Sequence, residues 1–176
     1  RLRWARGGHR DVHPSAPHAR SGHRATTAIA IPVPSANPRA IEVDHAGDWW
    51  VLLGGPGKIG RYRPGTGGWV FADIGRYAHS IGIGQDGRVW ANHHFANDSI
   101  RLAVVAEQGG TLAATEVRGP LVMGDALGPS PIPYELRVAP NGVVWMSLLH
   151  GNAMVSFDPA TRRFDSIPMP ERDAGP

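Results

Sequence analysis

Three near-copies of one short pattern predict an all-β fold made of repeated four-stranded antiparallel units. Ala40 to Trp50 reads AIEVDHAGDWW, Ser80 to Trp90 reads SIGIGQDGRVW, and Glu135 to Trp145 reads ELRVAPNGVVW. Each has two apolar residues two apart, then a glycine, then a tryptophan three residues on (Gly47/Trp50, Gly87/Trp90, Gly142/Trp145). Turn chemistry is the second observation. Pro140-Asn141-Gly142 separates two apolar runs, and Asn-Gly is a strong hairpin signal because glycine supplies the positive φ of a tight turn. Asp158-Pro159 marks the next turn, with φ pre-set by proline and the aspartate able to bond the backbone ahead. The third observation is that later strands also match. KIGRYRP (58–64) aligns with AMVSFDP (153–159), and Trp69 and Phe164 each fall five residues past the turn proline. Self-similarity at about 40 residues marks a propeller or solenoid. Four short strands in about 35 residues fit one blade of a β-propeller.

In chain order, residues 1–25 read as a disordered basic arm, because they are charged, histidine-rich and without apolar periodicity. AIAIPVP at 28–34 resembles the blade ending FDSIPMP at 164–170, so an orphan strand is expected at 26–32. Blade one is expected over about 38–74, with strands near 40–44, 48–53, 58–63 and 69–73. Blade two is expected over 78–117, with strands near 80–84, 88–93, 99–105 and 111–117. Residues 118–134 hold four prolines and three glycines and read as an irregular insertion. Blade three is expected over 133–168, with strands near 136–139, 143–148, 153–157 and 164–167. The whole is a partial propeller, over 26–176, of three blades plus an orphan strand. Trp50, Trp90 and Trp145 are expected to pack between neighbouring blades. Ile41/Val43, Ile81/Ile83 and Leu136/Val138 are expected in the core.

Composition agrees. Twenty-three glycines and 16 prolines among 176 residues suit a turn-rich chain long enough for a real core. No run approaches the apolar length of a transmembrane helix, so no membrane partner is expected. With no cysteine there is no disulfide or thiolate chemistry, and cysteine usage does not separate cytoplasmic from periplasmic or secreted settings. The net charge of +3 is set by residues 1–24, which carry six arginines and one aspartate; the rest of the chain is net −2. Those 24 residues also hold four of the nine histidines but no apolar h-region of a secretory signal. A basic run without interleaved aromatics or a recognisable module does not make a nucleic-acid binder, and no nucleic-acid partner is expected.

Residues that break the repeat are the candidates for chemistry. His93-His94 follow the second strand of blade two, His150 follows the second strand of blade three, and His79 sits at the start of blade two. Loops at one end of a propeller gather around its channel, where side chains of adjacent blades converge. Histidine is the usual general base near neutral pH. His150, His93 and His94 are therefore the catalytic candidates. His79, Tyr134 and Asn152 are the candidates for contact with a small-molecule or peptide ligand at the channel face. The bland alternative for all of them is an ordinary polar loop.

The combined pattern resembles the streptogramin B lyases (virginiamycin B lyases). It comprises a Pro-x-x-Ile lead-in, Gly-x-x-Trp, a loop ending in Asn-x-Ile, an Asp-Pro-x-Thr turn and a closing Pro-x-Pro. Here these are Pro133 to Leu136, Gly142 to Trp145, Asn152 to Met154, Asp158 to Thr161 and Pro168 to Pro170. The resemblance implies a parent of about seven blades, of which three blades make only part. The partners expected are then missing blades of a parent or self-association. It also implies a carbon–oxygen lyase that opens a cyclic depsipeptide by elimination at an ester, with magnesium as cofactor. In that pattern a glutamate three residues after a blade tryptophan helps hold the metal. A histidine two residues further is the base, with another histidine from the preceding blade. His150 matches the base position, five residues after Trp145, and Leu148 stands at the glutamate position. His93 or His94 matches the preceding-blade histidine. A non-catalytic propeller that binds a ligand or protein is the alternative reading.

Overall fold

The glycine of each repeat makes the turn that the motif demands. In the computed structural model, which describes residues 27–95, 99–120, 131–172 and 174–176, Gly47, Gly87 and Gly142 have φ of 83°, 76° and 84°. Their amides close the same turn, donating to the carbonyls of Asp44, Gly84 and Ala139 at 3.0, 2.9 and 2.8 Å. A residue with a Cβ is strained at such φ, which is why the position is glycine three times. The tryptophan then falls on the second residue of the following strand each time.

The described residues form twelve strands. The first sheet holds β1 (Pro38–Val43), β2 (Trp49–Leu53), β3 (Lys58–Arg63) and β4 (Gly68–Asp73). The second holds β5 (Ala78–Ile83), β6 (Val89–His93), β7 (Arg101–Gln108) and β8 (Thr111–Arg118). The third holds β9 (Pro133–Val138), β10 (Val144–Leu148), β11 (Ala153–Asp158) and β12 (Arg163–Pro168). Every pairing is antiparallel between consecutive strands. Strand β5 packs against both β1 and β9, so the first strands of the three sheets lie side by side and form the inner edge. These are three propeller blades in an open arc, and residues 31–176 make one compact unit. Among the described residues no helix is long and apolar enough to cross a membrane.

The ladder registers place the three tryptophans alike. Trp50 pairs with Glu42 and Arg61, Trp90 with Gly82 and Val104, and Trp145 with Arg137 and Ser156. All three tryptophans thus hold equivalent positions on one face of their blades. One core lies between blades one and two, where Trp50, Leu52 and Ile59 meet Ile81, Val89, Ala91 and Val105. The other lies between blades two and three, where Trp90 and Leu102 meet Leu136, Val144, Met146, Val155 and Phe157. Trp50 and Trp90 therefore each face the blade that follows in sequence, and Trp145 holds the same face of blade three.

That rule corrects three expectations. Ile41 and Val43 are 56% and 58% exposed rather than core, because they lie on the face of blade one turned away from blade two. Trp145 is half-buried, whereas Trp50 and Trp90 are 3% and 2% exposed, because among the described residues no blade covers its face. The orphan strand expected at 26–32 carries no ladder over its described part, 27–32. Pro32 removes a donor there and Pro34 another just beyond. The arm expected over 1–25 lies outside the described residues.

Candidate functional site

Strand β6 is buried at every position, yet it ends on Asn92 and His93. An amide in such a strand must find partners. Asn92 does so at the bulge where the β5–β6 register slips between Ala78 and Ile81. Its Oδ1 accepts from the amides of His79 (3.3 Å) and Ser80 (2.8 Å), and its Nδ2 donates to the Tyr134 carbonyl at 2.7 Å. One side chain thus ties the inner strands of blades two and three together and sets His79 beside Tyr134. The equivalent position in blade three is Ser147, whose Oγ accepts from the Glu135 amide.

Around this clamp a ring cluster assembles at the inner edge. His79 stacks on Tyr134 with ring centroids 4.1 Å apart and on His94 at 5.0 Å. His94 meets Tyr77 and Phe95 edge-on at 5.6 and 4.5 Å, and Tyr77 and Phe95 stack on each other. Phe95 is 62% exposed, so the cluster opens to solvent on that side. His79 Nδ1 lies 3.2 Å from the Tyr134 carbonyl and His94 Nδ1 lies 3.0 Å from the Pro133 carbonyl. A carbonyl only accepts, so in the neutral ring the proton sits on Nδ1 and the lone pair on Nε2. Burial pushes the pKa of His94 below its ordinary value, opposed by the Pro133 hydrogen bond and reinforced by the neighbouring charges of His79, Arg39 and His150. His94 is therefore held neutral, with Nε2 as a ready proton acceptor.

His150 belongs to the same end. Its amide donates to the Pro131 carbonyl and its half-buried ring acts on the charge of His94. Its Nδ1 is buried without a hydrogen-bond partner. His93 goes elsewhere. His94 begins the turn that follows β6, whereas His93 is the last residue of that strand and faces blade one, where it lines a cleft of about 260 Å³ with Asp73, Ile74 and Glu116. It is 1% exposed, neither ring nitrogen has a hydrogen-bond partner, and Nδ1 is 3.6 Å from Glu116 Oε2. Burial is the main cause of its lowered pKa; Glu116 raises it, and Arg76 and Arg101 lower it. Of the His93/His94 pair, only His94 joins the ring cluster. Asn152 is engaged structurally: Nδ2 donates to the Glu171 carbonyl and Oδ1 accepts from the Ala174 amide, holding the C-terminal segment. Sequence reasoning missed Asn92, Tyr77 and Phe95. A polar amide inside an otherwise buried strand was the available signal for the first.

Magnesium prefers oxygen ligands, with carboxylates and waters in octahedral array. The cluster offers imidazoles and the phenols of Tyr77 and Tyr134. Leu148 is fully buried in the core between blades two and three, and no carboxylate replaces it at that position. Among the described residues no group of three or more His, Cys, Asp or Glu is placed to hold a metal. The residues present do not fit a magnesium site.

No protein-family model matches the chain, and no curated protein matches it by sequence. Solved structures do match. Virginiamycin B lyase from Staphylococcus aureus superposes with a TM-score of 0.66 at 21% identity, over 83% of this chain and 46% of that one. A streptogramin B lyase gives 0.65 at 20% identity, over 82% and 45%. Hydrazine synthase from Kuenenia stuttgartiensis gives 0.63 at 15%, over 83% and 39%. The chain spans about half the length of the lyase structures, and its fold is that of a lyase-type β-propeller segment.

Proposed function

We propose that this chain binds a small-molecule or peptide ligand at the imidazole–aromatic cluster of its inner edge, with His94 able to take up a proton from that ligand. The observation that carries the reading is the paired fixing of His79 and His94 through Nδ1, which leaves two Nε2 lone pairs beside exposed aromatic faces. Stacked rings suit an unsaturated or aromatic ligand. Elimination at an ester begins with removal of the proton α to a carbonyl, and a neutral, positioned imidazole is the group for that step. His94 is the favoured base and His150 the second. Stabilising the enolate needs donors or a cation on its oxygen; the cation beside the cluster is Arg39, whose guanidinium is engaged 5.8 Å over the Tyr77 ring, and among the described residues no group is placed to hold a metal. The binding reading therefore stands ahead of the carbon–oxygen lyase reading.

Quinupristin, the compound with which a catalytically inactive virginiamycin B lyase from S. aureus was solved, is the probe for both. Binding is expected to quench tyrosine and tryptophan fluorescence, and His79→Ala or His94→Ala to weaken it about tenfold. Failure to bind sinks the proposal. Mass spectrometry separates the chemistries. Elimination opens the ring with no change in mass, hydrolysis adds one water, and an unaltered ligand leaves binding as the function. If turnover occurs, His94→Ala should slow it about 100-fold or more.

A further inference from the structure

One position recurs at the inner edge of all three blades. Pro38, Ala78 and Pro133 pair with Leu53, His93 and Leu148, and the next residues, Arg39, His79 and Tyr134, fall in the irregularity that interrupts each of those ladders. A bulge re-aims the side chain it frees from pairing. Two of these three residues are rings of the cluster, and the third is a cation. Arg39 stands beside the cluster with its guanidinium 5.8 Å over the Tyr77 ring. Its stem is seated on Gly54, where a Cβ would come within 2.8 Å of Arg39 Cγ and 2.9 Å of Tyr77 Cε2. A bare backbone at that position lets the arginine and the tyrosine stand side by side.

That cation has no acid of its own. Arg61, Arg63, Arg76, Arg88, Arg101 and Arg137 each lie 3.8 Å or less from a carboxylate oxygen. Arg39 is exposed, and among the described residues it makes no hydrogen bond or ion pair. A guanidinium over a ring keeps its N–H donors, which match a carboxylate two at a time. The groups whose charge acts on His94 are His79, Arg39 and His150, all of them basic. We propose, on the binding reading above, that the cluster takes an aromatic carboxylate, with Arg39 holding the acid group while the ligand's ring lies on the imidazole and phenol faces. The site already holds an unmatched positive charge, which a carboxylate answers and a neutral group does not. A free aromatic acid and a peptide that ends in an aromatic residue both offer these two groups.

Naphthoate and N-acetylglycyl-phenylalanine, each beside its neutral amide, are titrated into the whole chain at pH 8, with the histidine ring-proton NMR shifts as the reading. At least one acid should bind about fivefold tighter than its own amide. It should shift His79 and His94 and lose its margin over the amide at high salt. The tighter of the two acids names the source, a free aromatic acid or a peptide end. Arg39→Gln should bring the acid down to the affinity of its amide and leave the amide unchanged. The acid–amide comparison and its salt dependence use the unaltered protein, so they hold whatever Arg39→Gln does to the fold. Equal binding of acid and amide, a preference that survives Arg39→Gln, or no binding of either acid overturns the proposal. If quinupristin binds and neither acid does, Arg39 is no anchor and the cluster remains a ligand site. If quinupristin also fails, the cluster is not the site.

Discussion

The two blade interfaces share one tryptophan position and differ in almost everything around it. Between blades two and three, Trp90 meets Phe157 and Phe157 meets Phe164 at 4.5 Å, in an apolar core whose cation, Arg88, lies 5.6 Å over the Trp90 ring but is itself 44% exposed. Between blades one and two, the residue opposite Trp50 is Arg61, 4% exposed, its guanidinium 5.3 Å over the Trp50 ring. Arg61 Nη1 donates to Glu107 Oε2 at 2.6 Å, and Arg63 bonds both Glu107 and Asp48. Arg61 corresponds to Val104 and Ser156 in the other blades. A repeat therefore fixes where a side chain points while leaving its polarity open. One interface is an apolar seam, and the other a seam with a charge sealed into it.

The largest expected effect breaks the apolar seam. Trp90→Ala should cost about 3–5 kcal/mol in chemical denaturation, since a buried ring is removed from a packed layer. Trp145→Ala should cost far less, because the same ring is only half-buried there. Equal costs would mean that the faces are not energetically distinct. The charged seam should respond differently to its two halves. Glu107→Ala leaves Arg61 buried without its short hydrogen bond and should lower stability measurably in the same denaturation experiment. Asp48, 3.8 Å from Nε, softens the loss. Arg61→Met removes the buried charge and leaves Glu107 to solvent, so it should be close to neutral. The Arg61 hydrogen bond holds the Glu107 pKa down to about 2. Because that pKa is lowered on folding, the pair's contribution is complete above the ordinary carboxylate range and is lost only as pH falls toward 2.

How far the sequence spoke follows the same division. The strands, turns and tryptophan positions were legible because Gly-x-x-Trp states a geometric need: a positive-φ turn, then a large ring on a fixed ladder position. Ile41 and Val43 were misplaced because period-2 alternation shows which residues share a face but not whether another blade covers it. The candidate site was legible only in part. His79, His94, Tyr134 and His150 were identifiable as polar breaks in an apolar repeat. The divergence of His93 from His94 was not, since it depends on the strand ending between them. Asn92 was detectable as a polar amide in a buried run, but its clamp was not, since that depends on a bulge that no residue pattern announces.

His93 offers the smallest and most specific test of the charged seam. It sits among Glu116, Arg76 and Arg101 from neighbouring strands and the adjoining loop, with Asp73 across the cleft. Its pKa is lowered in the fold, chiefly by burial. The unfolded chain therefore binds a proton at a pH where the folded chain does not. Stability is complete above the ordinary histidine value of about 6.5 and declines as pH falls through it toward the folded value. His94 contributes in the same sense from the inner edge. His93→Leu should flatten part of that decline. It removes a ring whose two nitrogens lack hydrogen-bond partners, so at pH 8 it should change stability by no more than about 1 kcal/mol. Urea denaturation from pH 8 to pH 5 reads both quantities. An unchanged pH slope in His93→Leu would assign the titration to His94 alone. A loss of several kcal/mol at pH 8 would show that the His93 imidazole has a polar partner and that the seam between blades one and two needs it.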